Sequence, residues 1–144
     1  MKRISMVLID DNPSAREGVV ARIRAEPGFH VLVDRVESAE ALQSVRETRP
    51  DLVLLNLAPG AGETMALARA LHDEMPGSRV VVMGLTPLHK DVAGFLRAGV
   101  SGFIMADASF EEFLGTIHSV SRGICVLPSK LTHSLFGQLT GHGV

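Results

Sequence analysis

Two places in the chain put oxygen-bearing side chains directly after an apolar run. Asp10 and Asp11 follow the run VLI, and Asn56 follows LVLL. Paired carboxylates supply the hard oxygen ligands that Mg²⁺ selects, and an ionised carboxylate can also act as a nucleophile. Asn56 carries a neutral amide instead, which has no charged oxygen with which to attack. The pattern therefore indicates a polar centre that could hold a divalent ion weakly but has no evident nucleophile.

Two further turns complete the set of candidate positions. Gly84-Leu85-Thr86 and Ala106-Asp107 also follow apolar runs. A small enzyme of another class would need Thr86 and the acidic pair to form a nucleophile–base pair, and none can be recognised. The six histidines lack metal-ligand spacing such as HExxH, and the glycines form no GxxxxGK or GxGxxG loop. We therefore expect a protein that is not an enzyme.

Composition limits the class of protein. The 144 residues suffice for one domain with a sizeable core, and 46% hydrophobic with 21% charged residues is typical of a globular chain. The formal net charge of −2 offers no basic field for direct nucleic-acid binding. No apolar run approaches the roughly 20 residues that span a bilayer, and the first residues lack the features of a signal peptide. We expect a soluble, cytoplasmic protein that does not bind membranes.

Cys125 is the only cysteine of the chain. An internal disulfide framework and a metal site of several thiolates within one chain are therefore excluded, which agrees with a reducing compartment. The apolar run ICVL around it predicts a buried, unreactive thiol.

Five apolar runs alternate with segments of helical periodicity. The predicted strands are short and rich in valine, isoleucine and leucine; they are Ile4–Ile9, His30–Val36, Asp51–Leu55, Arg79–Met83 and Gly102–Met105. The predicted helix boundaries are Asn12-Pro13 and Ser38 at the starts of the first and second helices, Pro76-Gly77 and Gly99 at the ends of the third and fourth, and Ser109 with Glu112 in a capping box at the start of the fifth.

Runs such as LVLL and VVVM are apolar at every position. This predicts burial on both faces, and hence a parallel sheet between two layers of helices. Right-handed crossovers make a doubly wound α/β sheet the leading topology. Ligands of such sheets bind beyond the carboxyl ends of the strands, which is where the polar turns named above would lie.

Three stretches together resemble the receiver domain of bacterial response regulators. VLIDDNPSAREGVVARI is similar to the family's first strand and helix, RPDLVLLNL to its third strand, and RAGVSGFIMADAS to its fifth strand and the approach to the last helix. The likeness runs in order, with family-like spacing, over about residues 4 to 122. It implies the doubly wound (βα)5, CheY-like or flavodoxin-like fold, with a parallel five-stranded sheet of order 2-1-3-4-5 and a receiver domain at residues 1–124.

The resemblance also assigns roles to the polar turns. In receivers an acidic pair binds Mg²⁺, a carboxylate ending the third strand accepts a phosphoryl group, and a hydroxyl and a lysine hold the phosphoryl oxygens. Asp10 and Asp11 match the acidic pair, whereas Asn56 stands at the phosphoacceptor position. Gly84 stands where the hydroxyl is expected, and Ala106 where the lysine is expected. The resemblance therefore implies a receiver degenerate at its phosphorylation site, a pseudo-receiver, with at most weak Mg²⁺ binding and no required cofactor.

Two of these positions have structural interpretations as well. Asn56 is expected to hydrogen-bond the acidic pair and so relieve the repulsion that a third carboxylate would add. Phe103 matches an aromatic switch residue of the fifth strand, which swings inward in receivers as the hydroxyl at the Gly84 position moves. Because Gly84 has no side chain to move, Phe103 is either held inward permanently or is an ordinary core residue.

The favoured interpretation is a signalling module that acts through protein–protein interaction or dimerisation. The resemblance places that contact on the face of the fourth helix, fifth strand and fifth helix. The stretch GICVLPSKLTHSLFGQL is similar to the segment that follows receivers of LuxR-type regulators, which implies a DNA-binding output domain, absent from this chain, that controls transcription. The alternative is a phosphotransfer receiver, served by a histidine kinase, in which Asp10 or Asp11 is the acceptor.

Residues 125–144 are predicted to form a helical extension. Leu131, Leu135, Phe136 and Leu139 fall near helical spacing, and so short a helix needs a packing surface to be stable. The extension is either folded back on its own domain or serves as a dimer helix or a linker to an output domain. The resemblance favours the linker.

Overall fold

A computed structural model of the chain describes residues 3–10, 20–36, 40–56, 61–86 and 91–132. Five strands form one parallel sheet in the order β2-β1-β3-β4-β5. They are β1 Ile4–Ile9, β2 Phe29–Val36, β3 Leu52–Asn56, β4 Arg79–Leu85 and β5 Val100–Met105. The predicted doubly wound sheet is confirmed, including its strand order.

Helices follow the strands as the periodicity predicts. They are α1, described over residues 20–24, α2 Ala41–Thr48, α3 Ala61–Glu74, α4 Val92–Arg97 and α5 Phe110–Ser121. Residues 129–132 add a helical turn. The predicted starts of the first two helices, at Asn12-Pro13 and Ser38, lie outside the described residues. In the part of the chain that is described, no helix combines the length and apolar character needed to cross a membrane.

The start of α5 and the end of α4 have clear causes in the sequence. The Oγ of Ser109 accepts a hydrogen bond of 3.1 Å from the N–H of Glu112, which satisfies one of the free amides at the start of α5. Glu111 and Glu112 add negative charge near the positive end of the helix dipole. Beyond α4, Gly99 has a φ of +94°, a left-handed conformation that ends a helix at little cost for glycine.

The core consists of one apolar cluster on each face of the sheet. The cluster beneath α2, α3 and α4, called here the α4-side cluster, includes Val53, Phe95 and Phe103. The cluster beneath α1 and α5, called here the α5-side cluster, includes Leu54 and Ile117. Neighbouring strand residues alternate between the two clusters because successive side chains point to opposite faces. Burial on both faces explains the uninterrupted apolar runs.

Strand β4 extends two residues beyond its prediction, through an irregularity. The register of β4 with β5 shifts between Met83 and Leu85, and Gly84 between them has a φ of +82°. Glycine permits such a bulge within a strand because it has no Cβ to clash. The apolar pattern around it gave no sign of this backbone conformation.

The chain beyond α5 returns along the free edge of β5. Val126 forms a parallel bridge with Gly102, and Leu131 is fully buried in the α4-side cluster. Residues up to 132 therefore rest on their own domain, as the folded-back alternative requires. Leu135, Phe136 and Leu139 lie outside the described residues, and the division between residues 1–124 and 125–144 stays a prediction.

The predicted burial of Cys125 is wrong. Its side chain is exposed, and that of Ile124 is 54% exposed. The two residues lie between the end of α5 and the bridge at Val126, along the outer edge of the sheet. An apolar run at an edge is covered on one side only, so its residues need not all be buried.

Candidate functional site

The carboxyl ends of β1 and β3 bring Asp10 and Asn56 together. The two strands are parallel neighbours, paired from Met6↔Leu52 to Ile9↔Leu55. The Nδ2 of Asn56 donates a hydrogen bond of 2.8 Å to the Oδ2 of Asp10. Asp10 is only 6% exposed, and Asn56 is half-buried. The contact expected of Asn56 with the acidic pair is present at Asp10, whereas Asp11 lies outside the described residues.

The hydrogen bond from Asn56 is suited to holding the carboxylate of Asp10 in a fixed position. A hydrogen bond to an ionised carboxylate is stronger than one between neutral groups, and a nearly buried carboxylate needs such partners. The amide nitrogen of Asn56 cannot coordinate a cation, and its oxygen is not a practical nucleophile. The pair can therefore position the ends of β1 and β3 but has no means of covalent catalysis at position 56.

A Mg²⁺ ion, which the receiver resemblance implies, does not fit the described residues as they stand. Mg²⁺ is usually held through carboxylates, with other oxygen ligands completing its octahedron. Asp10 provides one carboxylate, and Asn56 directs its nitrogen rather than its oxygen at that group. Within the described ranges, no three or more His, Cys, Asp and Glu side chains gather into a group that could hold a metal.

The ends of β4 and β5 are joined through their backbones. The N–H of Ala106 donates a hydrogen bond of 2.7 Å to the carbonyl of Leu85. Gly84, just before Leu85, has the positive φ described above, so any side chain at that position would be strained. Thr86 follows with an exposed side chain, and Ala106 is also exposed. Neither Gly84 nor Ala106 supplies the hydroxyl or the ammonium group of a working receiver.

Phe103 points into the protein. Its side chain is fully buried and meets Phe95 edge to face, with ring centroids 6.4 Å apart and an interplanar angle of 72°. Such a pair is a favourable aromatic geometry. A fixed inward switch residue and an ordinary core residue would both have this arrangement, so both interpretations from the sequence stay open.

One ionic contact beside the site had no signal in the sequence. The Nζ of Lys130 lies 2.9 Å from the Oδ2 of Asp107. The hydrogen bond from Lys130 lowers the pKa of Asp107, helped by the attraction between the two charges. The same hydrogen bond and attraction raise the pKa of Lys130. The residues are 23 positions apart, and only the return of the chain along β5 brings them together.

Known proteins share both the sequence pattern and the fold. The model of the response regulator receiver domain family matches residues 6–118. The nitrate/nitrite response regulator protein NarL of Escherichia coli K12 is 29% identical over 136 residues, which cover 94% of this chain and 62% of NarL. The transcriptional regulatory protein DegU of Brevibacillus brevis is 26% identical over 133 residues, covering 92% of this chain and 56% of DegU. The chain thus spans less than two thirds of either relative.

A solved structure gives the same answer for the fold. The crystal structure of a LuxR-family two-component response regulator from Aurantimonas sp. SI85-9A1 superposes with a TM-score of 0.83. It is 23% identical, and the superposition covers 96% of this chain and 99% of the other. Receiver domains are generally signalling modules rather than enzymes. The family match over most of the chain, together with the strand order, shows that this chain belongs to the response regulator receiver domains.

Proposed function

We propose that this receiver is not phosphorylated at its usual position and acts through protein–protein contacts. The observation that carries the proposal is the 2.8 Å hydrogen bond from Asn56 to Asp10. At the end of β3, where a receiver needs a carboxylate, an amide nitrogen is directed at the neighbouring acid. Phosphoryl transfer to a protein side chain needs an ionised nucleophile, and position 56 has none.

The rest of the site supports the same proposal. Phosphoryl transfer also needs donors and cations that neutralise the developing charge, and the positions of Gly84 and Ala106 supply neither. The backbone hydrogen bond between Ala106 and Leu85 holds the ends of β4 and β5 together without a ligand. We propose no required cofactor. Any Mg²⁺ beside Asp10 and Asp11 would be held weakly, because position 56 has lost a carboxylate.

The setting we propose is a longer transcription regulator. NarL and DegU both extend well beyond the matched region, and DegU is named a transcriptional regulatory protein. In this proposal residues 1–124 are the receiver, and residues 125–144 lead to an output domain that binds DNA. The face formed by α4, β5 and α5 contacts a second copy or another partner, and so sets the dimerisation of that output domain.

The test is treatment with a small-molecule phosphodonor and Mg²⁺, followed by intact-mass spectrometry. We expect no acyl-phosphate adduct, whereas a receiver that keeps the carboxylate, hydroxyl and lysine serves as the positive control. In an NMR titration, Mg²⁺ should cause at most small shifts near Asp10, and beryllofluoride added afterwards should leave the amides of Asp10, Asn56 and Phe103 where they are. Shifts of those amides caused by beryllofluoride would overturn the proposal.

The alternative, phosphorylation of Asp10 or Asp11, is separated by the same assay. An adduct on the unchanged chain that disappears in Asp10→Asn or in Asp11→Asn would establish it. The histidine kinase of a phosphorelay would then be the upstream partner.

A further inference from the structure

Residues 125–132, called here the clasp, occupy the outer edge of the sheet. The N–H of Val126 donates a hydrogen bond of 3.0 Å to the carbonyl of Ser101, and the N–H of Phe103 donates one of 3.1 Å to the carbonyl of Val126. β5 is the last strand of the sheet. Its outward backbone groups would otherwise face solvent or a strand of another molecule. The clasp therefore covers the edge that β5 would leave open.

The clasp also contributes side chains to both layers of the core. Val126 packs against the α5-side cluster, whereas Leu127 and Leu131 pack with the α4-side cluster, which contains Phe103. Leu131 is fully buried. Because burial of a leucine side chain is strongly stabilising, Leu131 is the main apolar anchor of the clasp.

A third attachment fixes the far end of the clasp. Lys130 pairs with Asp107, two residues after β5 ends at Met105. The clasp is thus tied near the start of β5 through Ser101, at its middle through Phe103, and just beyond its end through Asp107. All three attachments belong to β5 or to the loop that follows it.

We propose that the clasp is a separate, detachable unit of this domain: it stays attached while its contacts with β5 and the following loop are in place, and its release is coupled to opening of the backbone at Phe103. The amide of Phe103 itself bonds to Val126, so a displacement of β5 at Phe103 either breaks that bond or carries the clasp with it. This mechanism depends on the β5 contacts and is independent of whether position 56 accepts a phosphoryl group.

The chain offers a direct reporter of release, because Cys125 is its only cysteine and is exposed. A nitroxide spin label on Cys125 measures the mobility of the clasp, and NMR amide exchange measures opening at Phe103, with the amide of Leu54 in the central strand as the reference for global unfolding. Leu131→Ala removes the apolar anchor. We expect it to speed exchange at Phe103 relative to Leu54 by roughly tenfold or more. Conversely, Phe103→Leu should increase the mobile fraction of the label, since coupling between two sites is reciprocal.

Three variants make the test specific. Arg46→Ala removes the exposed ion pair of Arg46 with Glu74 between α2 and α3, and Ile23→Val trims a buried side chain of the α5-side cluster. Both should leave the label and the Phe103-to-Leu54 exchange ratio unchanged. If Leu131→Ala does not fold, Lys130→Ala replaces it as the test variant. It should speed exchange at Phe103 relative to Leu54 by roughly twofold, and Lys130→Arg should restore the original ratio. The proposal would be overturned if Leu131→Ala sped amide exchange at Phe103 and Leu54 equally, or if Phe103→Leu left the mobility of the spin label unchanged. Either result would show that the clasp is not a separate unit coupled to β5.

Discussion

The strand pair β1–β3 has an aspartate at each end, and the two ends are built differently. At the amino end, the carboxylate of Asp51 accepts hydrogen bonds from the N–H and the hydroxyl of Ser5, at 2.9 and 3.1 Å, and the N–H of Asp51 donates to the Ser5 Oγ at 2.9 Å. At the carboxyl end, Asp10 receives the side-chain amide of Asn56. The first contact is reciprocal and involves the backbone, whereas the second joins two side chains.

The contacts at the amino end are of a kind that stabilises the fold, whereas the carboxyl end is where a receiver has its reaction site. The contacts at the amino end include two backbone amides, whereas the contact at the carboxyl end joins a nearly buried carboxylate to a half-buried side-chain amide. The Ser5–Asp51 network is therefore expected to respond to mutation through lost hydrogen bonds. The carboxyl edge is expected to respond through charge and backbone conformation.

The largest effect is expected at the amino end. Asp51→Ala leaves the N–H and hydroxyl of Ser5 without their carboxylate acceptor in a half-buried position. The free energy of unfolding should fall by about 2 kcal/mol, measured by urea denaturation. The control is Asp73→Ala on the exposed surface of α3, which should change it by less than about 0.5 kcal/mol. If the two variants lose the same amount, the amino end has no special role in stability.

Backbone conformation gives the next effect, at the carboxyl edge. Gly84→Ala places a Cβ at a φ of +82°, which should cost about 1–2 kcal/mol of unfolding free energy. Gly115→Ala is the matched control, because Gly115 lies within α5 with nothing within 4 Å of an added Cβ. That change should instead raise stability by about 0.5–1 kcal/mol. A neutral or stabilising result for Gly84→Ala would mean that a hydroxyl-bearing residue can also be accommodated there.

Charge at the carboxyl edge should produce a smaller effect that depends on conditions. Asn56→Asp replaces the donor to Asp10 by a second carboxylate, and we expect a loss of about 1 kcal/mol at pH 7. Protonation of one of the two carboxylates removes the repulsion, so stability should recover as the pH falls into the acidic range. Added Mg²⁺ should also restore part of the loss. Thermal unfolding with and without Mg²⁺ measures both effects.

An exposed amide–carboxylate contact provides the control for that variant. Gln43 donates to Glu47 at 2.7 Å on the surface of α2. Gln43→Glu should cost only about 0.3 kcal/mol and should show no recovery with Mg²⁺. An equal Mg²⁺ response in both variants would mean that the Asp10–Asn56 position retains nothing of a metal site.

The smallest effect is expected at the Lys130–Asp107 pair beyond β5. The pKa of Asp107 is lowered from its ordinary 3.8, so its contribution is present above that value and is lost as the pH falls through the lowered pKa. The pKa of Lys130 is raised from 10.5, so its contribution is present below that value and is lost as the pH rises through the raised pKa. Attachment of the clasp should therefore be constant between about pH 5 and 9 and weaken outside that window.

The amide shift of Val126, followed by NMR across this pH range, measures that attachment. Lys130→Ala should abolish both inflections, whereas Arg46→Ala should leave them in place. Inflections that persist in Lys130→Ala would assign the pH dependence to other groups.

Much of the fold could be read from the sequence. Continuous apolar runs such as LVLL fix a strand buried on both faces, because each residue must find an apolar neighbour on its own side of the sheet. Ser109 and Gly99 mark helix ends through local hydrogen bonding and backbone freedom. The approach of Asn56 to Asp10 was also predictable, since the carboxyl ends of adjacent parallel strands meet at one edge.

Tertiary structure alone decided the features that depend on which edge of the sheet is free. The positive φ of Gly84 arises from the register shift between β4 and β5, which no local pattern encodes. The exposure of Cys125, the burial of Leu131 and the pairing of Lys130 with Asp107 all follow from the path of the chain along β5. Side-chain periodicity specifies which residues seek burial, but only the packed sheet specifies where an uncovered edge remains for them to fill.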